Sequence, residues 1–192
     1  MKARGLDLNL PKSGDYEEWR ALREMSSQNL AGVEPGWSDH KLSREFFAAY
    51  VAESADAAEE GSGYSMTIRN GAGALVGGVS LGPIKQGLGM LGVWIGAPFV
   101  GRGFAVKAVD ATLEAAFRVI GLQMVAATVL AENEPSLRIL EYFGFEHDPA
   151  RNIVMHIGDQ PRLHLIYTVN AHGYNYSPAK QRERDVFRQR AA

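Results

Sequence analysis

No cysteine occurs among the 192 residues, which excludes disulfides, thiolate metal sites and any covalent mechanism through a cysteine nucleophile. Long apolar runs are also missing. No stretch approaches the ~18 consecutive apolar residues of a membrane span, and the opening MKARGLDLNLPKSGDYEEW lacks the apolar centre of a secretory signal. A cytoplasmic protein with no membrane partner is the expectation. Excess charge of one sign is absent too. The 22 acidic residues nearly balance the 20 basic ones, so nothing attracts the whole surface to nucleic acid. His40, His147, His156, His164 and His172 show no ligand spacing of the HExxH kind, and no metal is expected.

What is there describes an ordinary globular chain. Apolar residues make up 46% and charged residues 22%, and 21 glycines with 8 prolines ask for many turns. The length suits one domain, taken as residues 1–173, with 174–192 as a C-terminal basic tail or short helix. In that tail Lys180, Arg182, Arg184, Arg188 and Arg190 alternate with Glu183 and Asp185. Such a run reads as a solvated helix or chain end. Nucleic acid is not an expected partner, because the strands show no aromatic pairs on which bases would stack.

Periodicity predicts the elements. GLDLNL (5–10) alternates like a strand. Asp15 and Glu18 have capping-box spacing, and YEEWRALREMSSQN reads as a helix with Trp19, Leu22 and Met25 on one face. A second helix is predicted from about Leu42 to Ala58. Residues 64–81 read as a hairpin around NGAGA, and LGMLGVWI (88–95) as a third strand. Val106, Val109, Leu113 and Ile120 then set a helical period over 104–120. LQMVAATVL (122–130) is apolar on both faces, as a buried central strand would be. Pro135 opens another helix, and Gly144 closes it. HLIYTVN (164–170) is the last strand, a partner for NIVMHI (152–157). The order βααβββαβαββ indicates a mixed α/β (α+β) sheet protein.

The glycines flanking arginine in GAPFVGRGFAVKAV (96–109) mark a strand-to-helix turn of the kind that binds phosphate. A P-loop needs lysine and then serine or threonine after the second glycine, where Phe104 and Ala105 stand. A dinucleotide fingerprint needs a small residue at Val106 and an acid roughly 20 residues on, and LQMVAATVL has none. The remaining phosphate reading is an acyl-coenzyme-A loop, in which amides from Val100 to Ala105 close on a pyrophosphate at a helix N-terminus. Taken by itself, the loop is equally a plain tight turn.

Strand, GRGFA turn, amphipathic helix, buried strand and NEPSLRILEYFGF (133–145) together resemble the GNAT acetyltransferases. VWIG, GRGFAVKAV and NxxSxRxLExxGF, with DYEEW, EPGW and LVGGVSL upstream, are similar to the RimJ/RimL-type branch, over roughly residues 8–172. The resemblance implies a GNAT fold: a mostly antiparallel mixed sheet, flanked by helices, whose central parallel pair splays apart around acetyl-CoA as co-substrate. Trp94 and Ile95 would offer backbone groups to the pantetheine. Val100, Gly101, Arg102, Gly103, Phe104 and Ala105 would hold the pyrophosphate, and Asn133 and Ser136 would also face the cofactor. Pro98 stands where the family signature has glutamine or arginine.

The same resemblance implies acetyl transfer to a primary amine by direct attack in a ternary complex. The acceptor would be a protein or peptide N-terminus such as that of a ribosomal protein, and the enzyme a monomer or homodimer. A small amine or antibiotic as acceptor, and a non-catalytic acyl-CoA-binding module, are the alternatives. An α-amine, with a pKa of about 7.7 to 8.0, asks little of a base. The family's tyrosine acid falls at Leu140, so Ser136 is the candidate proton donor; Tyr142 falls on another face and is left unassigned. Asparagine and serine ahead of a helix are also ordinary caps. Glu34 and Trp37, in EPGW, would bind or deprotonate the acceptor amine and wall the peptide. His164 follows Leu163 where the branch often has an Asp-His pair, and is read as structural.

Overall fold

The computed structural model describes residues 2–182; Arg184, Arg188 and Arg190 of the C-terminal segment lie outside them. Alternating apolar residues form β2 (Leu6–Asn9), which buries Leu6 and Leu8, and a short β1 (Lys2–Ala3) pairs with it. Three helices follow: α1 (Tyr16–Met25), α2 (Ser27–Ala31) and α3 (Arg44–Glu60). β3 (Tyr64–Asn70) and β4 (Leu75–Lys85) make the expected hairpin, and β5 (Leu88–Ile95) returns along β4. Then come α4 (Phe104–Ala115), β6 (Met124–Leu130), α5 (Glu134–Tyr142) and β7 (Glu146–His147). β8 (Ile153–Ile157), β9 (Gln160–Asn170) and α6 (Ala171–Asn175) follow, and residues 178–182 are again helical.

The strands form one sheet in the order β1-β2-β3-β4-β5-β6-β9-β7, with β8 also on β9. Among the described residues, β5–β6 is the parallel pair. α4 supplies the crossover between these two strands, as parallel neighbours require.

Strand alternation sorts the core into two layers. Leu75 points toward α1 and α3 and packs with Tyr16, Trp19, Leu22 and Phe47. Its neighbour Val76 points to the other face, where Leu8, Ile68, Val109, Leu113, Val125 and Phe143 form the larger cluster.

The first helix departs from expectation in three ways. Asp15 and Glu18 do not form the predicted capping box. Asp15 instead accepts the Lys12 amide at 2.9 Å, Glu18 accepts the Leu75 amide at 2.7 Å, and both carboxylates bind Arg69. Tertiary partners win over the local cap. Met25 is 60% exposed, and Arg23, at 6%, is buried in that turn beside Leu22 and Ser26. The helix also breaks at Ser26, whose buried hydroxyl donates to Leu22 O at 2.6 Å and accepts the Ala97 amide at 2.9 Å. The break ties the helical layer to the loop after β5.

The other end of the chain is anchored through α4. Asp110, buried on that helix, accepts a 2.5 Å hydrogen bond from the Tyr174 hydroxyl and pairs with Lys180 Nζ at 2.8 Å and Arg4 at 2.5 Å. Tyr174 and Ala179 belong to the main core. Burial, and then the adjacent Asp110, push the Tyr174 hydroxyl well above its ordinary value. The folded state therefore keeps that proton while the unfolded chain loses it above about pH 10. Stability that Tyr174 contributes below that pH should fall as pH rises through 10 to 11. Urea midpoints across that range should slope downward, and less steeply in Tyr174→Phe.

Candidate functional site

The site begins where a ladder stops. β5 and β6 pair from Leu88↔Met124 to Leu91↔Ala127. Beyond that point each strand keeps only its outer partner: β5 stays on β4 to Ile95, and β6 stays on β9 to Leu130. The facing edges of Gly92–Trp94 and Thr128–Leu130 therefore diverge, leaving backbone groups without the ladder partners that buried amides require. A cavity of about 450 Å³ opens between them.

The turn after β5 completes one end of the cleft. Gly101 and Gly103 have φ of 75° and 76°, the left-handed region that glycine enters without strain. A Cβ at either would meet no atom within 4 Å, so the backbone lies open to an approaching group. Gly103 is the N-cap of the twelve-residue α4, and the first intrahelical bond runs from Lys107 N to Gly103 O at 3.1 Å. The amides ahead of it are unpaired and sit at the positive end of the helix dipole. Pro98 lies in a 3-10 turn, Ala97–Phe99, and the Arg102 guanidinium lies 5.6 Å from the Phe99 ring.

α5 forms one wall. Asn133 caps it by accepting the Ser136 amide at 3.3 Å, and Asn133, Ser136 and Leu140 share the face that lines the cavity. The capping role of Asn133 and its place at the cavity thus coexist. Tyr142 turns away and packs edge-on against Phe143, 5.2 Å between centroids.

The far end is built around Arg23. Its guanidinium lies 5.3, 4.8 and 5.1 Å from the rings of Trp19, Trp37 and Trp94. One of its terminal nitrogens donates to both oxygens of Glu34, at 2.9 and 2.7 Å, and Lys41 Nζ reaches the same carboxylate at 3.3 Å. Trp94 can lie there because Gly78 faces it: a Cβ on Gly78 would come within 2.5 Å of Trp94 Nε1. At Gly77 a Cβ would come within 2.1 Å of Trp94 O, so both glycines of LVGGVSL make room for Trp94. Tyr50 also lines this end. Burial raises its hydroxyl above the ordinary value, with Ser65 opposing the shift, so it stays a neutral hydrogen-bonding group.

Of the residues singled out in the sequence, Glu34, Trp94, Asn133 and Ser136 meet on this cavity, and Trp37 reaches it through Arg23. Val100, Gly101, Arg102, Gly103, Phe104 and Ala105 form the adjoining turn and the start of α4. Ile95 is not on the cavity wall and packs into the main core. Sequence reasoning missed Arg23, Tyr50 and the placement of His164. Arg23 had a signal, since it lies four residues after Trp19 and so shares its helical face.

Two diverging strand edges and an open glycine turn at a helix N-terminus fit an acyl-pantetheine carrying a pyrophosphate. Among the described residues there is no group of three or more potential metal ligands, and no helix is long and apolar enough to cross a membrane.

The profile of the Acetyltransferase (GNAT) domain family matches residues 6–146. No curated protein matches the sequence. Among solved structures, Mycobacterium smegmatis RimJ in complex with CoA-disulfide superposes with a TM-score of 0.82 at 22% identity, covering 91% of this chain and 86% of that one. The ribosomal-protein-S5-alanine acetyltransferase from Vibrio fischeri gives 0.81 at 18% identity, covering 91% and 97%. RimL, a ribosomal L7/L12 alpha-N-protein acetyltransferase in complex with coenzyme A, gives 0.78 at 14%, covering 92% and 97%. At these identities the likeness is one of fold.

Gly103→Val should weaken coenzyme A binding at least tenfold, because a branched side chain would stand where the backbone must approach phosphate. Gly121 closes the same helical segment with φ of 79° and equally open surroundings. Gly121→Val carries the same backbone strain and should lose stability while keeping its affinity, as calorimetry and thermal melts would show.

Proposed function

The chain belongs to the GNAT acetyltransferase family and is an acetyl-CoA-dependent N-acetyltransferase, and on that premise we propose that its acceptor is the α-amine of a protein N-terminus, such as that of a ribosomal protein. One observation carries this reading. The carboxylate on the acceptor side, Glu34, is already bound by Arg23 and Lys41, so the three groups together leave one positive charge. Such a wall offers little to a polyamine, and it does not offer the strong base that a lysine with a pKa of about 10.4 would need. An α-amine with a pKa of about 7.7 to 8.0 is partly neutral already. The structural neighbour RimL, a ribosomal L7/L12 alpha-N-protein acetyltransferase, supports the same reading.

Bound acetyl-CoA supplies an activated acetyl group as a thioester. The backbone of Trp94 and its neighbours on β5 orients the pantetheine as an added strand would be oriented. The turn from Val100 to Ala105 holds the pyrophosphate. Ser136, half-buried on the first turn of α5, donates the proton that a departing thiolate takes up, and Asn133 fixes that turn. Glu34, with its charge shared, orients the acceptor, and Trp37 and Arg23 close the wall behind it.

A mass-shift screen of N-terminal peptides and their α-blocked forms tests the acceptor class. Transfer should require a free α-amine, and transfer confined to lysine side chains or polyamines overturns the proposal. Ser136→Ala should lower kcat by roughly 10²-fold, the lower end of general acid catalysis, with coenzyme A affinity unchanged. Glu34→Gln should raise the acceptor KM several-fold with kcat nearly constant, as expected for lost uniform binding; steady-state kinetics separates the two.

A further inference from the structure

Among the described residues, two buried side-chain nitrogens have no hydrogen-bond partner, Arg23 Nε and His164 Nε2, and both side chains line this one cavity. Buried polar atoms are seldom left unpaired in native folds. Arg23 has its charge met by Glu34 through another nitrogen. His164 has no such compensation.

His164 is 2% exposed and lies on β9 between Leu130 of β6 and Ile153 of β8. It is therefore three residues past the last β5–β6 pair, and it lines the same cavity as Asn133 and Ser136 of α5. Its Nδ1 lies 3.0 Å from the backbone oxygen of Arg162. A carbonyl oxygen can only accept, so Nδ1 carries the ring hydrogen, and Nε2 of the neutral imidazole is a bare lone pair. The strand's own backbone thus fixes the tautomer and leaves the distal nitrogen as a base.

We propose that His164 is the general base of the transfer, a role that rests on the acetyl-transfer reading above. As the amine nitrogen bonds to the acetyl carbonyl carbon and the carbon–sulfur bond breaks, one amine proton passes to Nε2. The thiolate takes its proton from Ser136, and both side chains return to their starting states by exchange with solvent. No charge is created or lost in the sum: a neutral amine and a thioester become an amide and a thiol.

The elements packed against the ring bring few charged groups to it. β6, MVAATVL, carries no charge, and Ile153 and Met155 on the facing side of β8 are uncharged; by strand alternation His156 points to the opposite side. Arg162, two residues away on the same strand, is paired with Glu132. The charged side chains of α5, Glu134, Arg138 and Glu141, belong to exposed residues. The ionisable groups that share the cavity are Arg23, Glu34 and Tyr50. Of these, Glu34 is already held by Arg23 and Lys41.

The test is acetyl-CoA turnover, read as thiol release, with peptides whose α-amines differ in pKa. His164→Ala and His164→Gln should each lower kcat by about 10² to 10⁴-fold, with coenzyme A affinity unchanged. Added imidazole should restore part of the rate to the alanine variant, where the ring's space is free, and not to the glutamine variant. The wild-type kcat profile should show an acid limb that stays in place when the acceptor's pKa changes and that is missing from both variants. Full turnover, or the same limb, in either folded variant overturns the assignment while leaving acetyl transfer standing. No amine-dependent thiol release from the wild type would overturn both. If both variants fail to fold, ¹⁵N spectra of the wild type still decide: Nε2 must resonate as the unprotonated nitrogen, and the opposite tautomer refutes the proposal.

Discussion

Everything in this molecule that bears on chemistry depends on one hydrogen-bond ladder ending early. Had β5 and β6 stayed paired to Ile95 and Leu130, the sheet would be closed and the core continuous. The pairing instead ends at Leu91 and Ala127, and the two strands follow their outer neighbours apart. Unpaired amides in a protein interior cost on the order of 1–3 kcal/mol each, so the cleft is stable only if flanking structure holds it or a ligand with amides of its own fills it. An extended chain carrying amide groups meets that need, and acyl-pantetheine is such a chain.

The flanks are held by contacts between elements distant in sequence. Ser26 binds the Ala97 amide, fixing the loop after β5 against the α1–α2 junction. Trp94 lies on Gly78 from one side and under the Arg23 guanidinium from the other. Asp110 draws Arg4, Tyr174 and Lys180 onto α4, the helix whose N-terminus faces the turn. The acceptor wall, the cofactor turn and the two ends of the described chain are thus coupled to the same pair of strands.

Much of the fold was legible in the sequence because it is written in periods of 2 and 3.6. β5 has the predicted bounds, the α4 helix starts at the predicted Phe104, and the pairing of the last two strands was expected, although β9 begins at Gln160 and not at the predicted His164. The splay was not legible from residues alone and entered through the family resemblance, since no local pattern marks where a parallel ladder stops. The break at Ser26 was hidden because its cause lies 71 residues further on. Met25 was placed in the core by spacing, but Arg23 takes that position because Glu34 and three indoles supply a partner for a buried cation. His164 was read as structural from its sequence neighbour Leu163; the register that sets it opposite Leu130 is a property of the sheet.

The cluster around Arg23 has an optical consequence. The chain has three tryptophans, and Trp19, Trp37 and Trp94 all lie within about 5 Å of one guanidinium at one end of one cavity. Its intrinsic fluorescence is therefore a local signal and not an average over the fold. A group entering the acceptor end changes the polarity and quenching around every indole at once, so the natural protein carries its own label for acceptor occupancy.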